Sequence, residues 1–582
     1  MHPSGVDQIF SAEAGHVPVP LARLAAPRLL WLNRRVMRLD PQFQAGFSEG
    51  DYAQHLLRQC AFVVIEEPSS VASDTGRATG MADRYGGTGI GRNGGSGRAV
   101  FINGYHLKGV GRTPLVSVLT DRAHASGGAY LEECVREAVL SELVDAEFPS
   151  GAVPVLAIIE TGEVQVWQTD AGPKPERRCL LVRPAFLRPA HFVRATDFIS
   201  VNPREGALDA WRVAQTSAAA RDFFGQDALT SHWHSFWLRW AEQLAYAYVH
   251  RLSHGGNTES NIALDGRLLD FGAMTALPSW ARIQTMQGGP PAGLDMLFVV
   301  QALQAAAPAL ARFIDASMAS PQVLSALLSQ AAAHYHQTVM REVLRVLGLS
   351  RLQSARLLQS EQGRPVTAAI NRLVMHFARE QFAIFDGMPQ PRFAWDLESF
   401  WVAEDPPVHA RELRGLLDAA LRDGPLAGAD AAQIRQAVVA RSQLRTRTRA
   451  GLFRDRIKET LYAELDGRFA GDALTAEEVG RVIDDFVVRH RRDSLAEPEA
   501  ALPVGFARSH EAGYALFASH SGSELFALQE WHESGQGAPQ TSPLPFKVGA
   551  NDEIEFIGNA MAPARACRHT PAQERAEALL MD

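Results

Sequence analysis

Seven of the twelve residues from Gly86 to Gly97 are glycine. Such a density lets backbone N–H groups come close to an anion with no Cβ in the way. Ala99 to Gly104 follows as a strand-like run, and a second short strand leads into Leu107-Lys108-Gly109. Far downstream stand His254-Gly255-Gly256-Asn257-Thr258-Glu259-Ser260-Asn261, then Asp265-Gly266-Arg267, then Asp270-Phe271-Gly272. An asparagine and an aspartate on the two sides of a tight hairpin can converge on one hard cation, and magnesium favours such oxygens together with substrate phosphates. Glycines, a lysine and an oxygen pair therefore point to phosphate chemistry assisted by a divalent cation. Each part also has a plain reading: the glycine run alone is equally a surface loop, and a lone Asp-Phe-Gly arises by chance.

Lysine usage sharpens the reading. Only Lys108, Lys174, Lys458 and Lys547 interrupt the arginines among the 57 basic residues. A compact ammonium differs from a planar guanidinium fork, so a lysine kept just beyond a glycine-rich stretch asks for a reason. Ala129 to Leu143 has helical spacing, with Leu131, Val135, Val139 and Leu143 on one face. It carries Arg136 and Glu137, and a strand lysine paired to a helix glutamate orients phosphates in kinases. An ordinary surface ion pair is the alternative.

The elements that would position these residues divide the chain. Residues 1–80 read as short helices and a strand, an N-terminal extension packed on a small β-rich lobe. Residues 81–204 read as that lobe, with a hairpin expected across Thr161-Gly162 and a further strand at Leu180-Leu181-Val182-Arg183. From 205 to 400 the pattern is helical and includes the loop with Asn261 and Asp270; a helix from Trp233 to Leu252 is expected to stop at the glycines just beyond it. Residues 401–582 read as more helix and a mixed tail rich in Gly, Pro and Ser. The fold class is α+β, with the outline of a two-lobed protein kinase: a small β-rich N-lobe, a large helical C-lobe and an extra helical C-terminal region.

Composition sets the outer limits. A 582-residue chain with 46% apolar and 21% charged residues has ample material for a globular core. The formal net charge of -8 and the lack of a dominant basic block argue against a nucleic-acid partner. No apolar run approaches the ~20 residues of a membrane helix, and the N-terminal residues do not read as a signal peptide. Cys60, Cys134, Cys179 and Cys567 are far apart in sequence, which favours neither a zinc site nor a disulfide framework and suits a reducing cytoplasm.

Three further motifs are weaker. His232 and His234 lack an evident third metal ligand, so a helix start with aromatic packing is preferred. Arg489-His490-Arg491-Arg492-Asp493 imitates a kinase catalytic loop but lies on the wrong side of Asp270-Phe271-Gly272. Arg435 to Lys458, including Arg445, Arg447 and Arg449, reads as a solvated basic helix face.

In order along the chain, these residues resemble the SelO (YdiU) family of kinase-like AMP transferases. That family carries G-D-G-R-A, L-K-G-A-G-R-T-P, a helix with I-R-E, a strand with two arginines, H-G-x-x-N-T-D-N and I-D-Y-G. The counterparts here are Gly95-Ser96-Gly97-Arg98-Ala99, Leu107-Lys108-Gly109-Val110-Gly111-Arg112-Thr113-Pro114, Val135-Arg136-Glu137, Arg183 with Arg188, and the loop bearing Asn261 and Asp270. The similarity covers roughly residues 20 to 280.

The resemblance implies ATP bound end for end relative to kinases, so that AMP is transferred and not phosphate. It implies that Lys108, Arg183 and Arg188 hold the terminal phosphates. Gly95, Gly97 and Arg98 would line the nucleotide, with Ser126-Gly127 where the family has Asp-Gly. Glu137 would fix Lys108, and Asn261 and Asp270 would bind Mg2+.

There are departures from the family pattern. Ser260 replaces the family's catalytic-base aspartate, the Arg183-to-Arg188 spacing is two residues shorter, and the Lys108-to-Glu137 segment is longer. With ATP and Mg2+ as cofactors, the expected acceptor is a protein or peptide. A carboxylate acceptor would need no base, because it is already ionised near neutral pH. Acyl-adenylate formation would suit an MchC-like branch of the family that accompanies siderophore–microcin biosynthesis, with a partner biosynthetic enzyme. A nucleotide-binding pseudokinase scaffold and a phosphotransferase are the alternatives.

Overall fold

In a computed structural model, the structure describes residues 5–65, 71–87, 93–170, 172–201, 209–349, 351–385, 403–421, 451–465 and 474–495, with Phe400, Trp401 and Arg449, and six strands between 501 and 566. The architecture is mixed α+β. Nine strands form one curled antiparallel sheet: β1 (Pro18–Leu24), β2 (Arg28–Leu32), β3 (Phe62–Val64), β4 (Ala72–Ala82), β5 (Ala99–Ile102), β6 (Tyr105–Lys108), β7 (Ala129–Tyr130), β8 (Ala157–Thr169) and β9 (Gly172–Pro184). Their order is β2-β8-β9-β6-β5-β4-β1-β3, with β7 also on β9. Strands from residues 18–82 and from 99–184 thus share the sheet.

β5 and β6 turn at Asn103-Gly104, both with positive φ, as the twist of a two-residue hairpin demands. The hairpin expected at Thr161-Gly162 is instead an irregularity within the single long strand β8, which runs on to Thr169 and pairs with β9 as far as Gly172. Alternation does what a local turn signal could not convey. On β9, Leu180 and Val182 face a core with Tyr52, Leu56 and Leu107, while Cys179 and Leu181 face the helix Leu131–Glu147.

That helix is buried almost all round, from Leu131 and Cys134 through Leu143 and Val144 to Glu147. One side meets the sheet. Another meets the helices Arg454–Leu465 and Ala476–Leu495, whose Ile457, Leu461, Val479 and Ile483 join its core. The helix Glu49–Cys60 starts on a Ser48–Asp51 capping box.

The helical part begins with Asp209–Phe224 and Gln226–Val249. Trp233, Trp237 and Trp240 stripe one face of the second and are buried. It ends at Val249, three residues before the expected stop, because Arg251 takes a left-handed conformation (φ 53) and turns the chain into the short strand β10, Leu252–Ser253. Helices Met296–Phe313, Pro321–Val346, Gly363–Phe377 and Val408–Leu421 come next. Among the described residues, Met296–Phe313 is the one helix long and apolar enough to cross a membrane, and its Val299, Leu303 and Leu310 are buried in the main core. Strands at Ala501–Arg508, Gly513–Ser519, Leu525–Gln529, Phe546–Val548, Glu553–Phe556 and Ala564–Ala566 form a separate six-stranded sheet.

Candidate functional site

The site assembles from the register of β6 on β9. Lys108 pairs with Leu181 and His106 with Arg183, so all four side chains lie on the face toward the Leu131–Glu147 helix. On that helix Glu133 and Glu137 stand one turn apart and project the same way. Lys108 Nζ meets Glu133 Oε1 at 3.0 Å and Asp270 Oδ1 at 3.1 Å. Glu133 also accepts from Arg98 at 2.8 Å.

Glu137, expected to fix Lys108, is taken by other groups. It pairs with Arg183 and accepts from the Phe271 backbone N–H at 3.0 Å. Arg136 donates to the Gly272 carbonyl at 2.7 Å. The helix therefore holds Lys108 through Glu133 and clasps the Asp270-Phe271-Gly272 backbone through Arg136 and Glu137. Sequence reasoning misses Glu133; its signal is the shared helix face, four residues before Glu137.

These charges set one another. Burial alone would lower the Lys108 ammonium, but Asp270 and Glu133 outweigh it and hold it above the ordinary lysine value. Burial would raise Glu133, but Arg98 and Lys108 keep it well below the usual carboxylate range. Asp270 is likewise opposed by burial and is held far down by Lys108, Arg98 and Arg183. All three are ionised at neutral pH.

The loop with Asn261 is built on His254. Its Nε2 bonds the Leu269 carbonyl at 2.9 Å and its Nδ1 accepts from Gly256 N–H at 3.2 Å; burial lowers this imidazole, which stays neutral. The Leu269 N–H donates to the Asn261 carbonyl at 3.0 Å, which brings Asn261 beside Asp270 across the hairpin. Asn261 Nδ2 is anchored on the Gly256 carbonyl at 2.9 Å, so the amide offers its oxygen. Asp270 sits in a left-handed conformation (φ 63), uncommon for a non-glycine residue. Its side chain is 45% exposed, against 8% for Lys108.

Arg188 and Asp83 form a second centre. Asp83 is fully buried and accepts from Arg188 at 2.5 Å and from the Nε2 atoms of His106 and His191 at 3.0 Å each. Burial lowers both imidazoles to about 4, against the pull of Asp83, so they are neutral at pH 7. Burial would raise Asp83, but Arg188 and the two imidazoles hold it well below its ordinary value. Arg188 also donates to the Ser260 carbonyl and lies 4.5 Å over the Tyr85 ring. The Asp83 carbonyl accepts from Ser96 N–H at 3.2 Å, tying this centre to the glycine-rich stretch. Sequence reasoning misses Asp83 as well; it stands three residues before the glycine run, with no local motif to mark its role.

The remaining candidate residues fall around these centres. Gly95 (φ 143) and Gly97 (φ 69) hold the stretch before Arg98, and a Cβ at Gly95 would lie 2.5 Å from the Asp83 carbonyl. Arg98 donates to the Gly128 carbonyl at 2.9 Å, which places the Ser126-Gly127 turn next to it. Ser126 Oγ bonds Tyr130 Oη at 2.8 Å, and a Cβ at Gly127 would lie 2.2 Å from the Arg112 nitrogen. Ser260 is buried, with its hydroxyl 2.8 Å from Thr258 Oγ1. A Cβ at Gly87 would lie 1.9 Å from Glu259 Oε1, so that carboxylate lies against the glycine-rich stretch. Residues 88–92 lie outside the described residues.

Two oxygens on a hairpin, one half-open, suit a hard cation that takes its remaining ligands from water and phosphate. Among the described residues no group of three or more His, Cys, Asp or Glu could hold a metal. The buried Nε atoms of Arg183 and Arg188 have no hydrogen-bond partner, and an anion between them could supply one. The residues thus fit a magnesium–polyphosphate. His232 and His234 do not form a site: His232 packs edge-on against Phe224 and His234 lies 3.6 Å from Asp315. Residues 489–493 lie within the helix Ala476–Leu495. No family model matches the chain, and no curated protein matches it.

Proposed function

We propose that the chain transfers AMP from ATP, with Mg2+, using a site of SelO-like design on a protein-kinase-like two-lobed framework. The observation that carries the reading is the contact of Lys108 with both Glu133 and Asp270. One strand lysine is shared between a helix glutamate and the aspartate of Asp-Phe-Gly, beside an asparagine nine residues earlier. The antiparallel sheet with one buried helix, leading into a helical region, supports the kinase-like reading at the level of layout.

The magnesium ion, held by Asn261 and Asp270, would neutralise phosphate charge. With Asp270 engaged on the metal, Lys108 would keep Glu133 as its anchor and would turn its other N–H groups to phosphate. Arg183 is held in place by Glu137. Arg188 spends part of its charge on Asp83 and part on the Ser260 carbonyl, so it orients the acceptor loop as well as facing an anion.

Ser260 offers no carboxylate where a hydroxyl acceptor would need a base. A carboxylate acceptor fits that loss. Its oxygen attacks the α-phosphorus, the bond from that phosphorus to the β-bridging oxygen breaks, and pyrophosphate leaves. The product is an acyl-adenylate on a protein or peptide, competent for a later condensation by a partner enzyme. The test is pyrophosphate release with a panel of peptides in the presence of hydroxylamine. The expected result is release that depends on a free carboxyl group, with a hydroxamate formed. AMP attached to a serine, threonine or tyrosine, with no hydroxamate from any peptide, would overturn the carboxylate acceptor.

A further inference from the structure

Arg449, expected on a solvated basic face, is among the most deeply buried arginines described. Its guanidinium pairs with both carboxylate oxygens of Glu147, one of them at 3.1 Å. Glu147 is the last residue of the Leu131–Glu147 helix. A helix C-terminus carries partial negative charge and favours a cation. This helix has no basic residue in its last turn and has Asp145 and Glu147 there instead. Positive charge reaches this end from two distant segments: Arg35 pairs with Asp145 at 2.6 Å, and Arg449, 302 residues further along the chain, pairs with Glu147.

The same segment reaches the other half of the site. The Leu452 carbonyl accepts from Ala276 N–H at 3.0 Å, and Arg454 N–H donates to Thr275 Oγ1 at 3.2 Å. Thr275–Ala276 lies just after Asp270-Phe271-Gly272 and pairs with Leu252–Ser253, just before His254. Leu452, Phe453, Ile457 and Leu461 share the core of Leu140, Leu143 and Val144.

We infer that Arg449 is a positioning residue: with residues 451–454 it braces the Glu133- and Glu137-bearing helix to the segment after Asp270, and so sets the distance between Glu133 and Asp270 that Lys108 spans. The effect on nucleotide rests on the AMP-transfer reading; the brace itself does not. Single loss of Arg449 removes the guanidinium from a buried carboxylate and destabilises the fold for that reason alone, so the informative variant is Arg449→Ala with Glu147→Gln. The neutral amide can still accept from Tyr246 Oη, which bonds Glu147 at 3.1 Å.

The experiment compares wild type, the double variant and Arg449→Lys by thermal melting, amide hydrogen exchange and Mg·ATP binding. The double variant is expected to melt within about 4 °C of wild type. Its amides at 133–147 and 271–276 should nevertheless exchange about tenfold faster, and Mg·ATP should bind roughly five- to tenfold more weakly. Arg449→Lys should recover part of both. Wild-type exchange at those amides in the double variant would overturn the brace. If wild type binds no Mg·ATP, the AMP-transfer reading falls while the exchange result still decides the brace.

Discussion

Lys108 and Asp270, 162 residues apart in sequence, form an ion pair of 3.1 Å. The ammonium and carboxylate satisfy each other in the free protein, so each is a group that a cation and a phosphate can separate. Lys108→Ala and Asp270→Ala should each lower AMP transfer by about 10²–10³ while far-UV circular dichroism stays unchanged. Lys108→Arg should fail as well, since the longer, planar and differently hydrated guanidinium cannot present the compact point charge of an ammonium to phosphate. Asn261→Ala should shift the magnesium dependence to higher concentration. Initial rates across a magnesium titration check all four.

The two helix glutamates should separate cleanly. Glu137 is buried on Arg183, so Glu137→Gln leaves an uncompensated buried cation and should cost about 3–5 kcal/mol of stability. Glu133 is 19% exposed and serves Lys108 and Arg98. Glu133→Gln should weaken ATP binding far more than it destabilises the fold. Urea unfolding beside nucleotide titration distinguishes them; equal behaviour of the two variants would remove the division of labour.

The parts legible in the sequence were those with a local signature. The glycine stretch, the lysine after it, the loop with Asn261 and Asp270, and the helix carrying Glu137 could be read from spacing. Partner choice could not. Whether Glu133 or Glu137 meets Lys108 depends on where the helix lies along β6 and β9, which is a tertiary matter. Asp83 is a hub because it is enclosed by His106, Arg188 and His191 from distant segments. Arg449 reads as solvated because its partner Glu147 is 302 residues away. Thr161-Gly162 has turn chemistry, yet a strand with a bulge can absorb the same residues.

Acid should unfold the protein through the Asp83 centre. His106 and His191 are neutral in the fold, with values lowered by burial to about 4, against about 6.5 for an exposed imidazole. At this centre the unfolded chain therefore takes up two protons that the folded chain refuses, and stability falls as pH drops from about 6.5 to about 4. Each imidazole contributes roughly 3 kcal/mol over that window. Asp83, depressed below 3.8, adds a loss with the same sign at still lower pH. His191→Gln should flatten the limb between pH 6.5 and 4 in urea titrations; an unchanged slope would show that the imidazole is not the group responsible.

Ser260→Asp tests the acceptor. The wild-type hydroxyl lies against Thr258, and its backbone carbonyl receives Arg188. With a carboxylate acceptor, the added aspartate should slow transfer, because two like charges at ~4 Å repel by about 4 kcal/mol at an effective dielectric near 20. With a hydroxyl acceptor the same change should speed transfer by supplying a base. The sign of the rate change in a single-turnover assay decides.

The most direct measurement of AMP transfer uses two labels of ATP in parallel, one at the α-phosphorus and one at the γ-phosphorus, with magnesium and acceptor. The expected result is that α-label enters the acceptor product and γ-label leaves in pyrophosphate. Label reaching the acceptor from the γ position alone would contradict AMP transfer and make the chain a phosphotransferase.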